Sequence, residues 1–270
     1  MSLALMILFG LVGGSFLGLG SYRLPRGLSV VRPGSRCPGC ERGLPGWENI
    51  PLLSFVLQRG RCRGCGQEIS WRYPLMEAGV AAAFGWSWQA AGGDLWFCVR
   101  SAFFLACLLA LAATDWESRQ LPDEITLGAW AVGLAMAAHV GRVELLAALV
   151  ASCGGAGLLA VVGVGYMRVR GLEGLGWGDV KMVGMLGAFL GIEGTIVTVL
   201  LASLAGAAVG GAQGLAVLLQ RRGRGRSWKQ ARARAGVSLS RAGLPLGVFL
   251  AAAGAVIWLS GGAMWRGWLG

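Results

Sequence analysis

Eight apolar runs leave this chain little choice of fold. They cover roughly 3–20, 74–92, 95–114, 125–141, 143–167, 180–192, 193–220 and 245–264. A helix needs ~20 residues to cross ~30 Å of hydrocarbon, and most of the runs meet that length. Two of them, 125–141 and 180–192, are short, and the division near Gly191 and Gly194 is only weakly marked. Inside a bilayer only helices and closed barrels satisfy their own backbone polar groups. The expected fold class is therefore all-α: a polytopic membrane protein of about eight transmembrane helices. Charged residues make up 14 % of the sequence, against about a quarter in soluble domains, which excludes an ordinary soluble enzyme.

The net charge of +11 raises nucleic acid as a partner, and the placement of the basic residues argues against it. With eight spans, 21 of the 24 lysines and arginines fall between spans one and two, three and four, five and six, or seven and eight, all on one side. That is how membrane orientation is written, with the basic side cytoplasmic. Both termini are then expected outside the cytoplasm. The exceptions are Arg100, Arg142 and Arg266. No basic residue precedes Arg23, so the first run lacks the charged front of a signal peptide and reads as a retained span. The arginine-rich stretch 221–234 reads as a solvated loop touching anionic lipid. The implied organisation is a first helix over 1–20, a cytoplasmic loop domain over 21–73, and a membrane core over 74–270 with a second cytoplasmic loop over 221–244.

The first basic loop reads CPGC at 37–40 and CRGC at 62–65. Each short knuckle offers two sulfurs to one ion, and two knuckles complete a four-thiolate shell of the kind that holds structural zinc. Two disulfides are the competing reading, and the cytoplasmic side, where disulfides are rare, argues against them. Cys37, Cys40, Cys62 and Cys65 are therefore the expected zinc ligands. Gly39, Gly64 and Gly66 suit the tight turns this requires. A closed four-sulfur site leaves no position for a reacting water, so the metal's role is to fold a loop too small to hold a core alone. Cys98, Cys107 and Cys153 lie in apolar runs and read as small buried hydrophobes.

Two carboxylates stand out. Asp115 directly follows the third apolar run, and Asp179 opens the sixth after the GLGWG stretch. Asp123, after Pro122, reads as the N-cap of the fourth span, and Asp179 could cap the sixth in the same way. Asp115 has no such role within its own helix, because it follows a helix C-terminus, where the macrodipole disfavours negative charge. An electrostatically misplaced acid beside a membrane is a functional candidate. The dipole and desolvation point to Asp115 as the protonated member of a pair, and to Asp179, with Lys181 nearby, as the ionised one. His139, the one histidine, sits in the fourth run with no serine-triad context, and neither HExxH nor a Walker-type loop occurs. The glycines of GLVGG at 10–14 read as close helix packing in lipid.

Six stretches together carry a resemblance. They are GSFLGLGSYRLP at 14–25, the paired cysteine knuckles, NIPLLSF at 49–55, YPLMEA at 73–78, TDWESRQLPD at 114–123 and EGLGWGDVK at 173–181. In this order they closely resemble the bacterial type IV prepilin peptidases, the bifunctional leader peptidases and N-methyltransferases of type IV pilus and type II secretion systems. The resemblance implies that Asp115 and Asp179 are the catalytic aspartates, with Asp123, Glu173, Gly176, Gly178 and Lys181 as supporting residues. It implies prepilins or pseudopilins as substrates, cut after a glycine at the cytoplasmic membrane face. It also implies S-adenosylmethionine as donor for methylation of the new amino terminus. One position departs from the family's pattern: Gly18 stands where the family usually carries asparagine. A transporter or a membrane-anchored zinc module are the readings from other classes. The first predicts a polar path across the bundle, and the second leaves Asp115 without a cause.

Overall fold

A computed structural model describes residues 2–171, 175–222 and 245–266. Seven helices of 18 residues or more form the bundle: α1 (Leu3–Arg23), α3 (Arg72–Ala91), α4 (Leu95–Ser118), α5 (Asp123–Val140), α6 (Arg142–Arg170), α7 (Trp177–Arg222) and α8 (Leu246–Arg266). The short α2 (Leu53–Leu57) lies in the insert between α1 and α3. Among the described residues the only β pairing is two isolated bridges in that insert. Each of the eight apolar runs falls on a helix, because α7 carries two of them. Among the described residues four helical segments are long and apolar enough, by length and composition, to cross a membrane: Leu3–Arg26, Leu95–Ser118, Arg142–Arg170 and Trp177–Ala216.

Caps mark the helix ends. The Asp94 side chain accepts from the amides of Trp96 and Phe97, at 2.8 and 3.1 Å, and so satisfies two donors that the start of α4 would leave open. Gly171 ends α6 in the left-handed conformation with its amide on the Met167 carbonyl at 2.8 Å, a common helix stop. Packing follows the small residues. A Cβ on Gly10 would stand 2.6 Å from the Ala81 backbone and one on Gly14 2.7 Å from Glu77, so α1 and α3 approach closely along this glycine face. Gly187 brings α7 against Ser152 of α6 in the same way.

Helix α4 is the hub, touching α1, α3, α5 and α8. Its Phe104 stacks on Phe189 of α7 at 4.5 Å and meets Trp258 of α8 edge-on at 5.1 Å. Helix α7 breaks at Gly191, whose φ of 67° and ψ of −170° lie outside the helical range. The boundary between the sixth and seventh apolar runs therefore falls at Gly191 rather than Gly194. At 1.5 Å per residue the segment 177–190 is roughly 20 Å long, shorter than the hydrocarbon it would need to cross alone. The break takes the intrahelical donor away from the carbonyls that precede it. Arg100 Nη2 donates to one of them, the Phe189 carbonyl, at 2.9 Å. The guanidinium also lies 5.4 Å from the centre of the Trp258 ring. Arg100 is thus no loop residue in the wrong place. It is a cation held inside the bundle by a backbone oxygen and an aromatic face.

Candidate active site and metal centre

Asp115 lies in the last turn of α4 and is 5 % exposed. Its Oδ2 accepts the Val248 amide at 3.0 Å. Val248 is in the first turn of α8, which Pro245 precedes. A carboxylate at a helix N-terminus meets unpaired amides and the positive end of the macrodipole. The sequence reading of Asp115 as electrostatically misplaced is therefore corrected. The residue follows one helix C-terminus and serves the N-terminus of another, 133 positions away in sequence. The dipole ground for assigning it as the protonated member of the pair therefore falls, since an amide donor and a helix N-terminus favour the charged form, while the desolvation ground stands in its burial.

Asp179 sits in the first turn of α7, with its amide on the Gly176 carbonyl at 3.1 Å. It lies within electrostatic reach of Asp115. Two helix N-termini, those of α7 and α8, thus carry the two acids to one end of the bundle. Trp116 and Trp177, 73 % and 58 % exposed, flank them, in the amphipathic position aromatic residues take at a membrane–water boundary.

Three supporting expectations change in detail. Asp123 is not a cap: α5 begins at Asp123, no side chain caps it, and the carboxylate binds Lys181 Nζ at 2.6 and 2.8 Å. Lys181 is thereby engaged with Asp123 and ties the start of α5 to α7 rather than serving Asp179. Gly176 and Gly178 have no positive φ, and what restricts them is room. A Cβ on Gly178 would lie 3.1 Å from Leu121, and one on Gly176 3.2 Å from the Asp179 carboxylate. Glu173 lies outside the described residues, as does most of the 221–244 loop. Gly18 faces Met76 and Tyr73, 3.5 and 3.8 Å from where a Cβ would stand.

Sequence reasoning missed three contributors. Leu121 is wedged between the starts of α7 and α8, since a Cβ on Gly247 would also meet it at 3.1 Å. Gly247 itself lets the α8 backbone come up to Asp115, its Cβ position being 2.9 Å from Oδ2. Arg72, its side chain only 10 % exposed, donates to Glu117 at 2.7 Å and to Ser21, joining α1, α3 and the turn that carries Asp115. The leucine of LPD and the arginine before YPLMEA were the available signals; Gly247 had none.

The insert shows a repeat that its sequence displays openly. RCPGCERG at 36–43 and RCRGCGQE at 61–68 fold alike. The Cys37 amide meets the Arg42 carbonyl at 3.0 Å and the Cys62 amide the Gln67 carbonyl at 2.8 Å. Bridges Arg36–Gly43 and Arg61–Glu68 close the two turns. All four cysteines are free thiols, and their sulfurs lie within 4.8 Å of one another, Cys37 and Cys65 at 3.7 Å. A tetrahedral zinc with Zn–S bonds of about 2.3 Å needs sulfurs about 3.8 Å apart, so the cluster fits. The Cys65 and Gly64 amides hold the Cys62 thiol down to about 6, with Gly64 N–H 3.4 Å from the sulfur, which favours the thiolate a metal needs. The glycine reading is refined here. Gly66 alone of the three has a positive φ, and the equivalent place in the first knuckle is taken by Glu41 at φ 55°. Gly39 and Gly64 instead make room for a side chain of the opposite knuckle, a Cβ on Gly39 overlapping the Gln67 carboxamide and one on Gly64 lying 3.1 Å from Arg42 Nε. The insert is fixed to the bundle by Glu77 of α3, whose carboxylate accepts the Leu52 amide at 2.7 Å.

Comparison with known proteins agrees with this architecture. Residues 8–90 match the bacterial peptidase A24 N-terminal domain, and residues 102–211 match the type IV leader peptidase family. A Burkholderia pseudomallei protein named prepilin leader peptidase/N-methyltransferase is 37 % identical over 243 residues, covering 78 % of this chain and 76 % of its own. Proteins of the same name from Neisseria gonorrhoeae and Klebsiella pneumoniae are 33 % and 38 % identical, over 75 % and 73 % of this chain and 79 % and 89 % of their own. No solved structure matches. On two adjoining family matches and relatives of this identity over most of its length, the chain belongs to the type IV leader peptidase family.

Proposed function

We propose that this protein is a membrane-embedded aspartic endopeptidase and N-methyltransferase. It removes the leader of type IV prepilins or pseudopilins after a glycine, at the cytoplasmic face of a bacterial inner membrane. It then methylates the new amino terminus with S-adenosylmethionine as donor, as the relatives' shared name supports. Both termini lie on the far side of the membrane from the cysteine insert. The observation that carries the peptidase reading is the meeting of Asp115 and Asp179 at two helix N-termini at one end of an apolar bundle.

Each acid lies in the other's field, which disfavours double ionisation, so the pair holds one proton between them. The ionised carboxylate takes a proton from water as its oxygen attacks the scissile carbonyl carbon, and the protonated one donates to the carbonyl oxygen. On collapse the carbon–nitrogen bond breaks, the departing amine takes a proton from the newly protonated acid, and a hydroxyl of the tetrahedral intermediate returns its proton to the carboxylate that had donated one. The Val248 amide and the Leu121 wedge fix Asp115, and the Arg72–Glu117 pair holds its turn. Cys37, Cys40, Cys62 and Cys65 would hold a zinc ion that joins the two knuckles, and their closed four-sulfur shell would leave it no position in the cut.

Purified protein incubated with a prepilin peptide and S-adenosylmethionine tests the proposal by mass spectrometry. The expected product is the mature segment cut after glycine and heavier by one methyl group. An uncut peptide under conditions where the protein is folded and metal-loaded contradicts the peptidase assignment.

A further inference from the structure

A groove of about 660 Å³ runs between the insert and the start of α3. That is within the size range of sites that take small apolar ligands. Val56, Trp71 and Leu75 line it, 69 %, 70 % and 66 % exposed. Phe55 packs on Trp71 at 4.9 Å and closes one side. Arg59 and Arg61, both exposed, also line the groove. Arg61 faces Glu68 at 3.6 Å with both side chains exposed, so its charge is only partly offset. The groove does not end at the insert. Leu75, Ala78 and Ala82 continue it as an exposed apolar stripe along α3, the flank that a membrane helix turns toward lipid.

An apolar trough that runs into an exposed apolar helix stripe and is lined in part by cations is complementary to one kind of molecule. We propose that this groove binds an anionic phospholipid of the adjoining leaflet, with an acyl chain along Trp71 and Leu75 and the phosphate against Arg59 and Arg61. The charge of the whole insert agrees: residues 21–73 hold nine arginines and three glutamates. Basic groups beside a membrane gain from anionic headgroups, and an exposed tryptophan at the start of a membrane helix anchors at the headgroup level. The lipid then holds the insert at a fixed height beside the bundle, as a second attachment beside the Glu77–Leu52 hydrogen bond.

Photo-crosslinking tests this on the full-length, zinc-loaded protein in liposomes of phosphatidylcholine with a small fraction of phosphatidylglycerol carrying a diazirine on its acyl chain. The expected label falls on Val56, Trp71 or Leu75. It drops about fivefold in Arg59→Ala, the factor equivalent to ~1 kcal/mol per basic residue at an anionic surface. The same diazirine on phosphatidylcholine labels these residues weakly and equally in both proteins. Zinc content measured on each preparation shows that the insert is intact. Equal labelling by the two lipids, or labelling unchanged in Arg59→Ala, overturns the proposal. A prepilin peptide carrying the diazirine that labels Val56, Trp71 or Leu75 where phosphatidylglycerol does not overturns it in a different way, making the groove a substrate contact.

Discussion

The cysteine insert and the aspartate end of the bundle are both small polar sites, and they are built in opposite ways. The insert's ligands come from two octapeptides that begin 25 positions apart and fold alike. Its local turns place all four sulfurs, and a metal held by them would supply the stability that its few buried side chains cannot. The aspartate site draws on residues 115, 121, 179 and 247, none of which is near another in local geometry except the first two. Its stability is that of the helix packing around α4. A local site can be read off the sequence and lost by removing one ion. A dispersed site is hidden in the sequence and fails only when packing or the acids themselves change.

The largest expected effect separates the two regions. Replacing Cys37 and Cys40 with serine removes half of the ligand set of a site type whose apparent metal binding is ~10–16 kcal/mol. Zinc should be lost and the insert's amides should exchange freely, while α4–α8 amides stay protected in hydrogen exchange. Loss of protection throughout the bundle would show the regions to be one cooperative unit. Acid should act on the same site. Protons and metal compete for the same thiolates, and the Cys62 thiol, lowered to about 6, is the one that stays ionised furthest as pH falls, while its neighbour Cys65 is pushed up to about 11. Zinc content followed by metal analysis should therefore fall as the solution is acidified, with α4–α8 still protected. Zinc content independent of pH would contradict a thiolate-held metal.

A smaller effect tests the bundle alone. Arg100→Met leaves the Phe189 carbonyl unpaired inside the break of α7, and an unsatisfied buried group costs about 1–3 kcal/mol. Thermal unfolding of the bundle should shift down, with zinc content unchanged, and Arg100→Lys should recover part of the shift through its single donor. The smallest effect lies in the insert. Glu41 holds a left-handed conformation that costs a non-glycine residue ~1–2 kcal/mol, and Gly66 fills the equivalent place without strain. Glu41→Gly should slow zinc transfer to a chelator by several-fold. Unchanged transfer would mean that the turn is not strained in solution.

How much of this was legible follows the same division. The helices were readable because each needed only its own apolar run, and even the break of α7 showed as a glycine between two runs. The four cysteines were readable because their spacing is their geometry. The surroundings of the aspartates were not, since every partner comes from elsewhere: Asp115 is held by the Val248 amide, Lys181 is taken by Asp123, and Leu121 fills the gap that Gly178 and Gly247 leave. Reasoning within single helices assigned Asp115 to an unfavourable helix end, and the tertiary contact reversed that assignment. Arg100 shows the same limit from the other side. It broke the charge rule in sequence because its partner is a backbone oxygen that only the fold provides.

The most direct test of the account is prepilin-peptide cleavage by Asp115→Asn and Asp179→Asn, with zinc content and thermal stability measured on the same preparations. The account predicts that each variant keeps its zinc and its folded bundle and loses cleavage by ~10³-fold or more, because neither proton transfer has a substitute at the site. Cleavage persisting near the wild-type rate in either folded, zinc-loaded variant would contradict the shared-proton pair.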